Sequence, residues 1–177
     1  KRANRFNEGI RRYILSAEEQ IESGDRLMVV KNNYYYTERM EKSPMSFIAN
    51  GDIALLKRIR RFEDFYGFHF ADAILSFGDY GNTEIECKIL LDTLSSESPS
   101  LTREQSRQLF DEVEKDYMDT ASRLKRFRQI RENPHYNALQ VKFAYAVTCH
   151  KAQGGQWRAV FVDRCLFGDE PMTRDML

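Results

Sequence analysis

An α/β chain carrying an inserted small antiparallel β-barrel and a long helix is the fold class this sequence predicts. Three observations predict it. First, the hydrophobic period is helical at the amino end, switches to two-residue alternation over residues 25–92, and returns to helical over 102–132. Second, an unbroken apolar run at 139–147 is followed by a polar, glycine-containing turn and another apolar segment at 159–162. Strand, polar turn and strand make the layout of a parallel sheet. Third, Asn50-Gly51 and Asp79-Tyr80-Gly81-Asn82 punctuate the alternating stretch in the way turns punctuate an antiparallel sheet.

Composition narrows the class further. The 177 residues suit one ordinary domain or two small ones, and 42% apolar with 31% charged residues suits a globular chain. No apolar run approaches the roughly 20 residues of a membrane helix, so no membrane partner is expected. Cys87, Cys149 and Cys165 are an odd number at wide spacings. That argues against a disulfide framework and for a reducing, cytoplasmic setting. With His69, His135 and His150 they form no metal-ligand spacing, so no metal site is expected. The balanced total of 27 basic and 27 acidic residues hides segregation. Residues 1–61 hold 13 basic against 8 acidic, 62–120 hold 4 against 14, and 121–177 hold 10 against 5. Two basic segments therefore flank an acidic one, which leaves both a nucleic-acid partner and mutual neutralisation open.

In chain order, Phe6, Ile10, Tyr13 and Ile14 recur at helical spacing, and Ser16 with Glu19 fits a capping box for a second short helix ended by Gly24. Leu27-Met28-Val29-Val30 reads as a buried strand, which Tyr34-Tyr35-Tyr36 either extends or leaves for a loop. Residues 38–46 form a polar loop; beyond Asn50-Gly51, Ile53, Leu55 and Ile59 share one strand face. Residues 65–77 are aromatic-rich and strand-like, and Thr83, Ile85, Cys87, Ile89 and Leu91 alternate with polar residues as a half-exposed strand does. About five short strands over 25–92 predict a small barrel. Thr102 and Gln105 then fit a second capping box, and Leu109, Val113, Tyr117, Ala121, Leu124, Phe127 and Ile130 predict one helix ending at Asn133-Pro134, roughly 45 Å long. Its basic second half is either a solvated face or a patch for nucleic acid.

The chemistry concentrates at residues 148–156. Thr148 is placed to cap a short helix whose free N–H groups suit a phosphate oxygen. Lys151 adds charge, His150 and Gln153 add neutral donors, and Gly154-Gly155 permits close backbone approach. These features fit a phosphate-binding turn or an ordinary capped turn.

The run Phe143-Ala144-Tyr145-Ala146-Val147-Thr148-Cys149-His150-Lys151-Ala152-Gln153-Gly154-Gly155-Gln156-Trp157 resembles motif V of superfamily 1 helicases, the RecD-like branch in particular. Gly24-Asp25-Arg26-Leu27-Met28, Asn32-Asn33-Tyr34 and Asn50-Gly51-Asp52-Ile53 resemble the signature of that family's SH3-like 2B insert. Lys1-Arg2-Ala3-Asn4-Arg5-Phe6-Asn7, with Arg11 or Arg12, resembles motif IV. The resemblance implies a RecA-like motor domain 2A begun at 1–24 and resumed at 136–177, a 2B barrel at 25–95, and a lineage-specific helical insertion at 96–135. It further implies that Thr148, His150, Lys151, Gln153 and Gly154 hold single-stranded DNA. Gly155, Gln156 and, near the amino end, Arg5 would face an ATP cleft; family members often carry glutamate where Gln156 stands.

The phosphate-binding GxxxxGK[ST] loop, the acidic magnesium pair and the arginine-bearing motif VI have no match here. ATP and magnesium are thus expected only in a longer parent, an ATP-dependent helicase of DNA repair or recombination, whose amino-terminal motor domain is a partner of this chain. The chain alone is expected to be inactive. Two other functions fit the same residues: an independent single-stranded nucleic-acid-binding module with Tyr34, Tyr35, Tyr36 or Trp157 stacking on bases, and a peptide-binding SH3-like domain.

Overall fold

Five strands close on themselves in the computed structural model, which describes residues 2–41, 43–153, 157 and 159–163. They are β1 (Arg26–Val29), β2 (Ile53–Phe65), β3 (Phe68–Phe77), β4 (Thr83–Leu90) and β5 (Leu139–Phe143). The first four run antiparallel in sequence order; β5 closes the ring, antiparallel to β1 and parallel to β4. The architecture is compatible with the SH3-like expectation. Leu27, Val29, Leu56, Leu75, Phe77, Ile89 and Val141 fill the interior, all withdrawn from solvent. Gly51, at φ +111°, and Gly81, at φ +67°, make the turns foreseen after Asn50 and Tyr80.

Three expectations are corrected. The run at 139–147 does not found a separate parallel sheet. Its first five residues are the closing strand of the barrel, and 159–163 form no strand, so no RecA-like sheet is present among the described residues. The run is apolar because Leu139 and Val141 point into the barrel while Ala138 packs against helices outside it. On β2 the inward residues are Ala54 and Leu56, not Ile53 and Leu55. Irregular register between Leu56 and Arg58 then returns Ile59 to the core.

The third correction concerns the long helix, which is two: α3 (Arg103–Lys115) and α4 (Arg123–Glu132). The capping box forms as expected, with Gln105 N–H donating to Thr102 Oγ1 and Thr102 N–H donating to Gln105 Oε1. Residues 116–122, with two Asp, a Thr and a Ser, are poor helix formers and make the break. Folding back lets Leu109, Val113 and Ile130 all pack on Phe68, Phe70 and Leu90, on the outer side of the barrel. A straight helix could not bring Ile130 there.

The amino-terminal helix α1 (Arg2–Gly9) continues into a π-turn (Ile10–Ile14), and Ser16, at φ 55°, ends it in place of capping a second helix. Its apolar stripe is not its docking face: Tyr13 is 78% and Ile14 72% exposed. The buried residues are Asn7 and Arg11. Arg11 makes a forked pair with Asp25, Nε to Oδ1 at 2.8 Å and Nη2 to Oδ2 at 2.9 Å, and its guanidinium lies 4.3 Å from the Phe143 ring centre. Asp25 also accepts from Glu22 N–H at 2.7 Å and from the Tyr145 hydroxyl at 2.8 Å.

Arg11→Met is expected to cost about 3–5 kcal/mol, because it strands the Asp25 carboxylate; adding Asp25→Leu should recover part of that loss. Urea unfolding of the two variants checks this. A second expectation concerns pH. The hydrogen bond and charge of Asp92 raise the His69 pKa above 6.5, whereas burial lowers that of His135 below 6.5 despite its bond to Glu63. His69 therefore favours the fold at low pH and loses that contribution as pH rises through its folded pKa; His135 favours it at high pH and loses its contribution as pH falls. An NMR titration of the two imidazoles should give midpoints on opposite sides of 6.5.

Candidate nucleic-acid interface

Beyond β5 the chain is held by side chains rather than by a strand partner. Ala144 N–H donates to the Arg26 carbonyl at 2.9 Å. The Asn7 amide then stands in for a peptide group: its Oδ1 accepts from Tyr145 N–H at 2.9 Å and Ala146 N–H at 2.8 Å, and its Nδ2 donates to the Ala146 carbonyl at 2.9 Å. Burial and the Asp25 carboxylate push the Tyr145 pKa up to about 12, so its hydroxyl remains a donor. Motif IV, the Gly24-Asp25 step and motif V meet in this one network.

Thus anchored, the chain turns at Thr148 into α5 (Cys149–Ala152). Thr148 stands in the cap position and its carbonyl accepts from Lys151 N–H at 2.9 Å and Ala152 N–H at 3.0 Å. Its side chain makes no capping bond, contrary to the ordinary capped turn. Lys151 reaches the barrel and donates to Asn50 Oδ1. Asn50 N–H in turn donates to Asn32 Oδ1 at 2.7 Å.

The Asn50-Gly51-Asp52 turn is itself fixed to β1. Gly51 N–H donates to the Val29 carbonyl at 2.8 Å, Val29 N–H donates to the Asp52 carbonyl at 2.9 Å, and Asp52 Oδ2 accepts from Ala49 N–H at 2.7 Å. A lysine has three donors, so the one given to Asn50 leaves two for a ligand. The barrel signature thus holds the Lys151 charge beside an exposed Thr148 hydroxyl.

The structure brings together Thr148, Lys151, Asn32, Asn50, Gly51 and Asp52; His150 and Gln153 lie exposed on the same short turn. Asn33 pairs through its backbone with Ile48 and donates from Nδ2 to the Asn137 carbonyl at 2.8 Å, while its buried Oδ1 has no partner among the described residues. Tyr34 is half exposed and stacks on Phe47 at 4.8 Å. Tyr36 is withdrawn into the core and its hydroxyl accepts from Lys88 N–H, so it is no stacking platform. Arg5 is exposed on α1, with no hydrogen bond or ion pair to the 148–153 turn among the described residues. Gly154, Gly155 and Gln156 lie outside the described residues. Asn7, Asp25 and Tyr145 carry the geometry yet were not singled out from the sequence as site residues. The spacing of Asn7 and Arg11, four apart on one helix, was their only signal.

The residues present do not fit ATP with magnesium. Among the described residues no three His, Cys, Asp or Glu side chains gather as a cation site, and the sequence has no phosphate-binding glycine loop. No described helix is long and apolar enough to cross a membrane.

Residues 143–177 match the model of the UvrD-like helicase C-terminal domain. That match supports a superfamily 1 helicase-type region at the carboxy-terminal part of the chain, beginning on the last residue of β5 and including the 148–153 turn. No curated protein matches the chain.

Cys149 is exposed on α5, whereas Cys87 is buried in the barrel with its thiol pKa raised by burial. A maleimide should therefore modify Cys149 in the folded chain and reach Cys87 only on unfolding, as read by peptide mass mapping. Modification of both at one rate would contradict the described packing.

Proposed function

We propose that this chain is the strand-gripping part of a RecD-like, ATP-dependent DNA helicase or translocase, with single-stranded DNA held across the 148–153 turn. The observation that carries the proposal is the bond from Lys151 to Asn50, which ties the helicase-type segment to the barrel turn and points a charge beside the Thr148 hydroxyl. In this assignment a backbone phosphate takes hydrogen bonds from Lys151 and Thr148, while His150 and Gln153 contact the neighbouring sugar or phosphate. Asn50 and Asn32 keep the ammonium in place between strand contacts.

ATP and magnesium belong to the longer parent, with the amino-terminal motor domain of the same polypeptide supplying the phosphate loop. The residues of this chain contribute grip. Asn7 and Asp25 act as positioning residues, since they hold the backbone from which the turn springs and do not touch the strand.

The test is oligo-dT binding by fluorescence anisotropy at about 50 and about 200 mM salt. Thr148→Ala with Lys151→Ala should weaken binding roughly tenfold and reduce the salt slope by about one. Equal affinity and equal slope for the two proteins would overturn the assignment.

A further inference from the structure

A second feature adjoins the turn. Between the loop that follows β1 and the carboxy-terminal end of α4 lies an open groove of about 750 Å³. Its lining is basic and aromatic. Arg128 and Arg131, three apart on α4, face it from one wall, and Lys31 and Arg39 from the other. All four are exposed. Arg39 is held in place: its guanidinium lies 3.6 Å from the Tyr35 ring centre and donates to the Tyr35 carbonyl at 2.9 Å. The Tyr35 hydroxyl donates to the Glu132 carbonyl at 3.1 Å, which bridges the two walls. Two carboxylates, Glu38 and Glu132, also line the groove, leaving cations in excess by four to two. Tyr34 and Tyr136 add partly exposed rings.

The groove is continuous with the candidate interface. Asn32 lines one end of it and accepts from Asn50, which accepts from Lys151. A strand leaving the 148–153 turn therefore meets Asn32 and Lys31 next.

We infer that this groove is a second single-stranded nucleic-acid subsite, in which Arg39, Arg128 and Arg131 take backbone phosphates and Tyr34 and Tyr136 carry bases. The inference rests on the strand-gripping assignment of the turn and extends it along the barrel. Cations interleaved with aromatic faces are what a single strand requires: charges track the phosphates, and rings stack without regard to base identity. The polar, charged lining disfavours an apolar ligand. It also gives the helical insertion a role, since α4 supplies one wall.

Anisotropy with oligo-dT of about 6 and about 16 nucleotides separates the two subsites. In the 177-residue chain, Arg128→Ala with Arg131→Ala should leave the short oligonucleotide unaffected. It should weaken the long one about tenfold, with a salt slope smaller by about two. Both arginines are exposed, so circular dichroism of the variant should match the parent chain. Unchanged affinity for the long oligonucleotide would overturn the groove subsite. The turn assignment would survive that result if Thr148→Ala with Lys151→Ala still weakened binding. Loss in the groove variant alone would uphold the groove and remove the turn. Absence of binding at either length would overturn both. Polyglutamate binding that depends on Arg128 and Arg131, with oligo-dT unaffected by them, would assign the groove to an acidic protein partner and overturn the inference.

Discussion

A guanidinium buried against a carboxylate organises this molecule. Arg11 and Asp25 retain only 10% and 3% of their side-chain exposure. Taking two such charges from water costs several kcal/mol each, and attraction offsets that only if every remaining donor and acceptor is used. Here they are used. Arg11 has the forked pair, the Glu19 carbonyl at 3.1 Å and the Phe143 ring; Asp25 has Glu22 N–H and the Tyr145 hydroxyl as well. An ion pair of this kind contributes little net stability but admits one arrangement only. Its partners come from α1, from the approach to β1 and from the residues after β5, so it fixes the relation of three segments far apart in sequence.

The 148–153 turn depends on that arrangement because it has no sheet to stand on. Residues 144–146 are tied to Arg26 and Asn7, and the turn beyond them is tied to the barrel through Lys151 and Asn50. The barrel contributes a rigid floor, since the Asn50-Gly51-Asp52 turn is bonded on both sides to Val29. The groove beside Asn32 extends the same surface toward α4. Polar side chains therefore do two tasks in this chain: buried ones set geometry, and exposed ones meet the strand.

Local chemistry was legible in the sequence and long-range pairing was not. The Thr102–Gln105 box, the turns at Asn50 and Tyr80, the alternation of β4 and the stripe through Leu109, Val113 and Ile130 each follow from neighbours a few residues apart. The run at 139–143 was correctly a strand with a parallel neighbour, but that neighbour is β4 inside the barrel. Apolar run length does not name a partner. At the amino end, periodicity pointed to Phe6, Ile10, Tyr13 and Ile14, whereas Asn7 and Arg11 are buried. A polar residue becomes an inward residue only when its partner is brought from elsewhere, and Asp25 and residues 145–146 arrive through tertiary folding. Of the motif residues, Lys151 and Asn50 were each legible by resemblance; their contact was not.

Amide hydrogen exchange of the chain and its Asn7→Ala variant tests most directly the claim that buried polar anchoring holds the strand-gripping turn. Asn7 accepts the Tyr145 and Ala146 amides, and the turn that follows contains the Lys151 and Ala152 amides bonded to Thr148. Faster exchange at these four amides in the variant, with the β3 and β4 amides still protected, is the expected result. Unchanged exchange at 145–152, or equal loss of protection throughout the barrel, would contradict it.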